Sequence, residues 1–155
     1  MKVRDAFGLI VAGIVAGTLA TVAQVLLWTA TGQDAWMLLL RDSRLTAALV
    51  LGEPVLSPLG GFDFRVLLAA TVVHFSLSVL YAAVLLPAAR RLAPVPSLLA
   101  GAGFGALLYF LNLYGLTSVF PWFTVTRGGI TLMAHLVFGM AVMLTCLVLR
   151  ERPRS

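Results

Sequence analysis

Charge is scarce in this chain. Only 11% of its 155 residues are Asp, Glu, Lys or Arg, against roughly a quarter in soluble domains. Acidic groups are scarcer still, with 6 Asp and Glu beside 11 Lys and Arg. The paired carboxylates of acid–base hydrolysis are therefore absent, and so is any Asp or Glu within the apolar runs to carry cation coupling. No nucleophile–base pair and no phosphate-binding glycine loop appears either, so the expected role is non-enzymatic. A single cysteine, Cys146, excludes an internal disulfide and a cysteine-based metal centre. In its apolar setting the thiol reads as inert, and no metal is expected. The basic excess has no basic face or RNA-binding aromatic motif behind it, so no nucleic-acid partner is expected.

Apolar sequence fills the space. Hydrophobic residues make up 61% of the chain and the mean hydropathy is +1.02. A hydrocarbon core about 30 Å thick needs roughly 20 apolar residues per helix. Four stretches qualify, at about 7–29, 65–87, 97–118 and 129–149. The first reads as a span rather than a cleaved leader, because its apolar run continues through "QVLLW". The fold class is thus all-α: a polytopic four-helix membrane bundle in one transmembrane domain, residues 1–155. Pro87, Pro94 and Pro96 bracket a turn holding Arg90 and Arg91, making spans two and three a hairpin. Lys2, Arg4, Arg90, Arg91, Arg150, Arg152 and Arg154 fall on one side, and Arg41, Arg44, Arg65 and Arg127 on the other. The richer side is cytoplasmic by the positive-inside rule, with both termini inside. Trp28, Phe120, Trp122 and Phe123 are then expected in the outer interfacial belt.

The long outer connection, residues 30–64, is too charged to span. Asp34 and either Asp42 or Ser43 read as helix N-caps, and Gly52 before Pro54 reads as a stop. One or two short helices at the outer surface are expected, either covering the bundle mouth or simply connecting spans.

An internal repeat is visible. "VAGIVAGTL" at 11–19 matches "LAGAGFGAL" at 99–107, 88 positions on, and the same offset carries Gln24 onto Asn112. Spans two and four correspond at 61 positions, His74 onto His135, Ser78 onto Gly139 and Arg91 onto Arg152. Two tandem two-helix halves follow, with the outer loop inserted in the first. Gly13 and Gly17 share one helix face, as do Gly101 and Gly105. Glycines four apart let helices approach closely in lipid. Spans one and three are expected to cross there, with Gln24 and Asn112 meeting above the seam.

Each span also carries one polar group at middle or outer depth: Gln24, His74, Asn112 and His135, with Ser78 one turn from His74. Three readings fit this layer. Histidines and amides can hydrogen-bond to specify helix partners. They can line a site for a small ligand, protons or water, as intramembrane ionisable groups often do. The two histidines, at matching depth, can also ligate one haem b. At the mouth, Arg127 can pair with Asp63. Equivalent positions imply that His74→Ala and His135→Ala behave alike.

"VVHFSLSVLYAAVL", "GFGALLYFLNLYGLTSVFPWF" and "TLMAHLVFGM" together resemble a family of small bacterial four-span inner-membrane proteins. Their function is unassigned, and some carry the label "sodium:proline symporter". The likeness covers roughly the last 90 residues, and "RLTAALVLGEPVLSP" more loosely. It implies four spans in a bacterial inner membrane and no particular mechanism. Beyond the lipid bilayer, the partners expected are further copies of the chain or a larger membrane complex that it serves as an accessory subunit.

Overall fold

A computed structural model describes residues 3–57 and 61–151. Lys2, Arg152 and Arg154 of the basic clusters lie outside the described residues, which takes the pairing of Arg91 with Arg152 out of view. Five α-helices form: α1 (Val3–Ala30), α2 (Ala35–Leu51), α3 (Phe64–Arg91), α4 (Pro94–Phe110) and α5 (Gly129–Glu151). There is no strand among the described residues. Four segments are long and apolar enough to cross a membrane: Ala6–Ala30, Phe64–Arg91, Pro94–Ser118 and Gly129–Leu149. The chain is a multi-pass membrane protein.

Local chemistry sets most helix ends. Asp34 caps α2, its carboxylate accepting from the Met37 amide at 3.0 Å, and Gly52, at φ +81°, ends it. Asp42 and Ser43 cap nothing, because α2 runs through them as one continuous helix. Asp63 caps α3 by accepting from the amides of Arg65 and Val66 at 2.8 and 3.3 Å. Pro94 and Pro96 sit in the first turn of α4, where a missing N–H costs nothing. Pro87, by contrast, lies inside α3 and does not end it. Membrane helices tolerate proline because surrounding helices satisfy the freed backbone.

Helix α1 packs on α3 and α5, and α5 packs on α4. Although a turn of only two residues joins α3 to α4, they barely touch. The expected hairpin is therefore one of connectivity rather than of packing. The core lies towards the end where α1 begins, built from Leu9, Ala16, Ala82, Leu85, Ala89, Val142 and Met143. The opposite end, here the loop end, carries α2 and the irregular segment 111–128. There Leu111–Gly115 forms a π-helical turn, followed by short 3-10 turns at Leu116–Ser118 and Pro121–Thr126.

Helix α2 docks on α3 through Ala47, Val66 and Ala70. Its Arg44 is only 6% exposed. The guanidinium donates to the Val55 carbonyl at 2.9 Å and twice to the Gly61 carbonyl, at 3.1 and 2.7 Å. One side chain thus ties together the two ends of the connection to α3. The aromatics also turn inward. Trp28 is buried within the bundle, and Trp122 donates its indole N–H to the Leu45 carbonyl at 3.1 Å. Trp122 thus ties α2 to the segment 111–128.

Candidate functional site

The glycine seams form, but between different partners than expected. A Cβ on Gly13 would meet the Val79 backbone at 2.6 Å, and one on Gly17 would meet Ser78 Oγ at 2.7 Å and His74 Nε2 at 3.0 Å. Both lie on α3. A Cβ on Gly101 would meet the Gly139 carbonyl oxygen at 2.5 Å, and one on Gly105 would strike the His135 carbonyl; both lie on α5. Spans one and three therefore do not cross. Each glycine pair instead seats the next membrane span of its own half. Gly17 meets His74 and Ser78 as Gly105 meets His135 and Gly139, the correspondence at offsets 88 and 61.

The two histidines sit in these seams and differ in their bonding. His135 Nδ1 lies 2.8 Å from the Thr131 carbonyl. A carbonyl only accepts, so Nδ1 carries the proton and neutral His135 presents Nε2 as an acceptor. Its ring packs edge-on to Tyr109 at 5.7 Å. His74 Nε2 is buried, and the polar group it meets is the Gly17 carbonyl of α1, too poorly aligned for a well-formed hydrogen bond. It faces the backbone at Gly17, whose carbonyl already accepts from Thr21 Oγ1 at 3.0 Å. Ser78 donates to the His74 carbonyl of its own helix at 2.8 Å.

A buried polar atom with only a poorly aligned bond regains little of its lost hydration, whereas an apolar replacement of similar size avoids that cost. His74→Leu is thus expected to cost less than about 1 kcal/mol, or to stabilise. His135→Leu should cost about 1–3 kcal/mol, for a hydrogen bond and an aromatic contact. The expectation from the repeat that the two behave alike is replaced, because equal depth did not bring equal partners. Thermal unfolding in detergent checks this, and equal losses would contradict it.

Gln24 and Asn112 do not meet. Gln24 Nε2 donates to Asp42 Oδ2 at 3.3 Å, and Asn112 Oδ1 accepts from the Tyr81 hydroxyl at 3.3 Å. Even so, Gln24, His74, Ser78, Asn112 and His135 all line one cavity of about 550 Å³. Helix α2 walls it with Leu39, Asp42, Ser43, Thr46 and Leu49, and Trp28, Tyr81, Phe120 and Phe123 add aromatic surface. The outer connection is thus a wall of the cavity rather than a plain linker.

Asp42 is the charged residue among those lining this cavity, and sequence reasoning had it as a cap. Burial pushes its carboxyl above the usual carboxylate range, against the opposing pull of Arg41, whose guanidinium pairs with it at 2.8 Å. Trp28 and Tyr81 were missed as site residues too. A spacing of 18 residues between Gln24 and Asp42, across a turn, leaves no periodic signal.

At the mouth, Arg127 and Asp63 do not pair. Asp63 is spent as a cap, while Arg127 donates to the Leu113 carbonyl at 2.7 Å and to Thr117 Oγ1 at 3.1 Å. The Arg127 guanidinium also stacks over Tyr114, 4.2 Å from the ring centre. The residues do not fit haem b either. His74 Nε2 is turned to α1 and buried in its seam instead of facing a space shared with His135. Compared with protein-family models, curated proteins and solved structures, the chain matches none.

Proposed function

We propose that this chain is a non-enzymatic binding module of a bacterial inner membrane, holding a small, largely apolar ligand in the cavity between its spans. Its loop end faces outward and both termini lie in the cytoplasm, on the reading of its basic residues. One observation carries the proposal: five polar side chains from four spans, and Asp42 from α2, converge on one cavity of about 550 Å³. That volume lies within the roughly 300–1,000 Å³ of small-molecule sites, which are mostly apolar with a few polar groups that fix orientation. Here those groups are His135 Nε2 as acceptor, the Asn112 amide N–H groups and the Asp42 carboxylate. The same groups would serve protons or water passing through the layer.

Packing speaks against the accessory-subunit reading. Gly13, Gly17, Gly101, Gly105 and Gly139 are all consumed inside the bundle, and only Gly103 among the span-three glycines has nothing within 4 Å of the place a Cβ would occupy. A stripe of small residues facing lipid, the feature a partner helix would need, is therefore not what the glycines build.

Binding of the neutral apolar fluorophore N-phenyl-1-naphthylamine tests the proposal. The purified protein is expected to take it up saturably. Thr46→Trp and Ala134→Phe, which fill the cavity from opposite walls, should weaken uptake about tenfold or more, since overlap with the ligand leaves no alternative pose. Leu99→Trp, on a side chain 69% exposed, should not change it. Undiminished binding in both filled variants, each still monodisperse, would remove the cavity from consideration.

A further inference from the structure

A second, smaller compartment adjoins the cavity at the loop end. It measures about 270 Å³ and shares Trp28, Thr126 and Thr131 with the larger one. Its charge is of the opposite sign. Arg41 and Arg127 line it together with Gln33, and no carboxylate does. In the larger cavity Asp42 is the charged residue, and no cation lines it. Arg41 uses Nε and Nη2 on Asp42 Oδ1, at 2.9 and 2.8 Å. Arg127 uses Nε and Nη2 on Leu113 and Thr117. The Nη1 group of each arginine has no such bond and remains available to an anion. Gly129, Ile130 and Thr131, the first turn of α5, complete the lining, and their amides add donors to a site already made by two guanidinium groups.

Resting on the reading of the cavity as a binding site, we infer that its ligand is an anionic amphiphile with a phosphate head. The head lies in the small compartment between Arg41 and Arg127, and the apolar chain lies in the large cavity. Trp28, Thr126 and Thr131 stand at the junction. Electrostatics fixes this orientation: Asp42 balances Arg41 at 2.8 Å, but Arg127 pairs with no carboxylate among the described residues, so the small compartment keeps a net positive charge while no cation lines the large cavity. Each arginine contributes its free Nη1 group as a charged donor, so the two grip the phosphate from separate sides. The shared chemistry is that of a phosphate carried on an apolar chain.

Radiolabelled decyl phosphate, decanol and inorganic phosphate separate the possibilities, measured on the whole chain in nanodiscs of zwitterionic lipid. Decyl phosphate is expected to bind saturably and to weaken with rising salt. Decanol should compete about tenfold less well or worse, having the chain without the charge. Inorganic phosphate should not compete. Arg41→Gln and Arg127→Gln should each weaken decyl phosphate about tenfold, while Arg127→Gln, which leaves the Arg41–Asp42 pair intact, keeps its uptake of N-phenyl-1-naphthylamine and Arg41→Lys recovers part of the loss.

Inorganic phosphate competing as well as decyl phosphate would make the small compartment a free-anion site and overturn the amphiphile. Decanol equal to decyl phosphate, with silent arginine variants, would remove the head site and leave the cavity reading standing. Failure of both decyl phosphate and the neutral fluorophore to bind would take down the cavity reading itself. Should Arg127→Gln disturb the fold through its Leu113 bond, Arg41→Gln, whose side-chain bonds go to its neighbour Asp42, decides the question.

Discussion

Gly105→Leu is expected to prevent the bundle from assembling, whereas Gly103→Leu, two residues away on the same helix, should leave it intact. The first substitution drives a side chain into the His135 carbonyl and the Leu136 backbone of α5. Backbone cannot rotate aside as a side chain can, so α4 and α5 must separate along the seam. Overpacking in a well-filled core costs about 1–3 kcal/mol where side chains can adjust, and here they cannot. A loss beyond about 3 kcal/mol is a large part of the roughly 5–15 kcal/mol that holds a typical domain. At Gly103 the added Cβ meets nothing within 4 Å. Replacing that glycine by alanine should even stabilise, by up to about 1 kcal/mol of helix propensity. Yield of monodisperse protein and the thermal midpoint in detergent are the measurements. Equal behaviour of the two leucine variants would mean that α4 and α5 are not seated on one another as described.

Arg44→Met is the second substitution with a large expected effect. It removes three hydrogen bonds at once and leaves the carbonyls of Val55 and Gly61 without the donor that reaches them. Charged donors contribute about 1.5–3 kcal/mol each when made, and water reaching exposed Gly61 and half-buried Val55 offsets part of their loss. Burying the guanidinium has its own desolvation cost, so the net loss should be about 2–4 kcal/mol. Arg44→Lys should recover less than half of it, because a point charge cannot span two carbonyls as the planar fork does. The connection from α2 to α3 should then be cut by chymotrypsin beside Leu56 or Phe62 at concentrations that leave the parent protein whole. A variant as protease-resistant as the parent would show that the α2–α3 docking surface of Ala47, Val66 and Ala70 holds the connection without Arg44.

Both predictions bear on what shapes the cavity. Gly105 and Gly101 fix α4 on α5, Gly13 and Gly17 fix α1 on α3, and Arg44 fixes the connection that follows α2. The cavity is the volume that these three attachments leave unfilled. His74 and His135 contribute to it differently, since only His135 is bonded in a way that defines which nitrogen accepts. Equal depth along the membrane normal follows from counting residues at about 1.5 Å each. Equal environment does not.

Apolar runs alone placed the four spans to within a few residues at most ends, because crossing a hydrocarbon core takes about 20 apolar residues in a helix. Local backbone chemistry placed the cap at Asp34 and the stop at Gly52, and the sequence also singled out the glycines and the five polar residues that come to line the cavity. Tertiary structure alone decided the partners. Glycine spacing says that a helix face admits a close neighbour and does not say which neighbour, so Gly13 and Gly17 took α3 and Gly101 and Gly105 took α5. An amide says that a bond will be made and not to what, so Gln24 went to Asp42 and Asn112 to Tyr81. Asp42, Arg44 and Trp28 drew readings from their composition, as cap, outer charge and belt. Their burial followed from α2 folding back against the bundle, an outcome of packing between segments that no local pattern encodes.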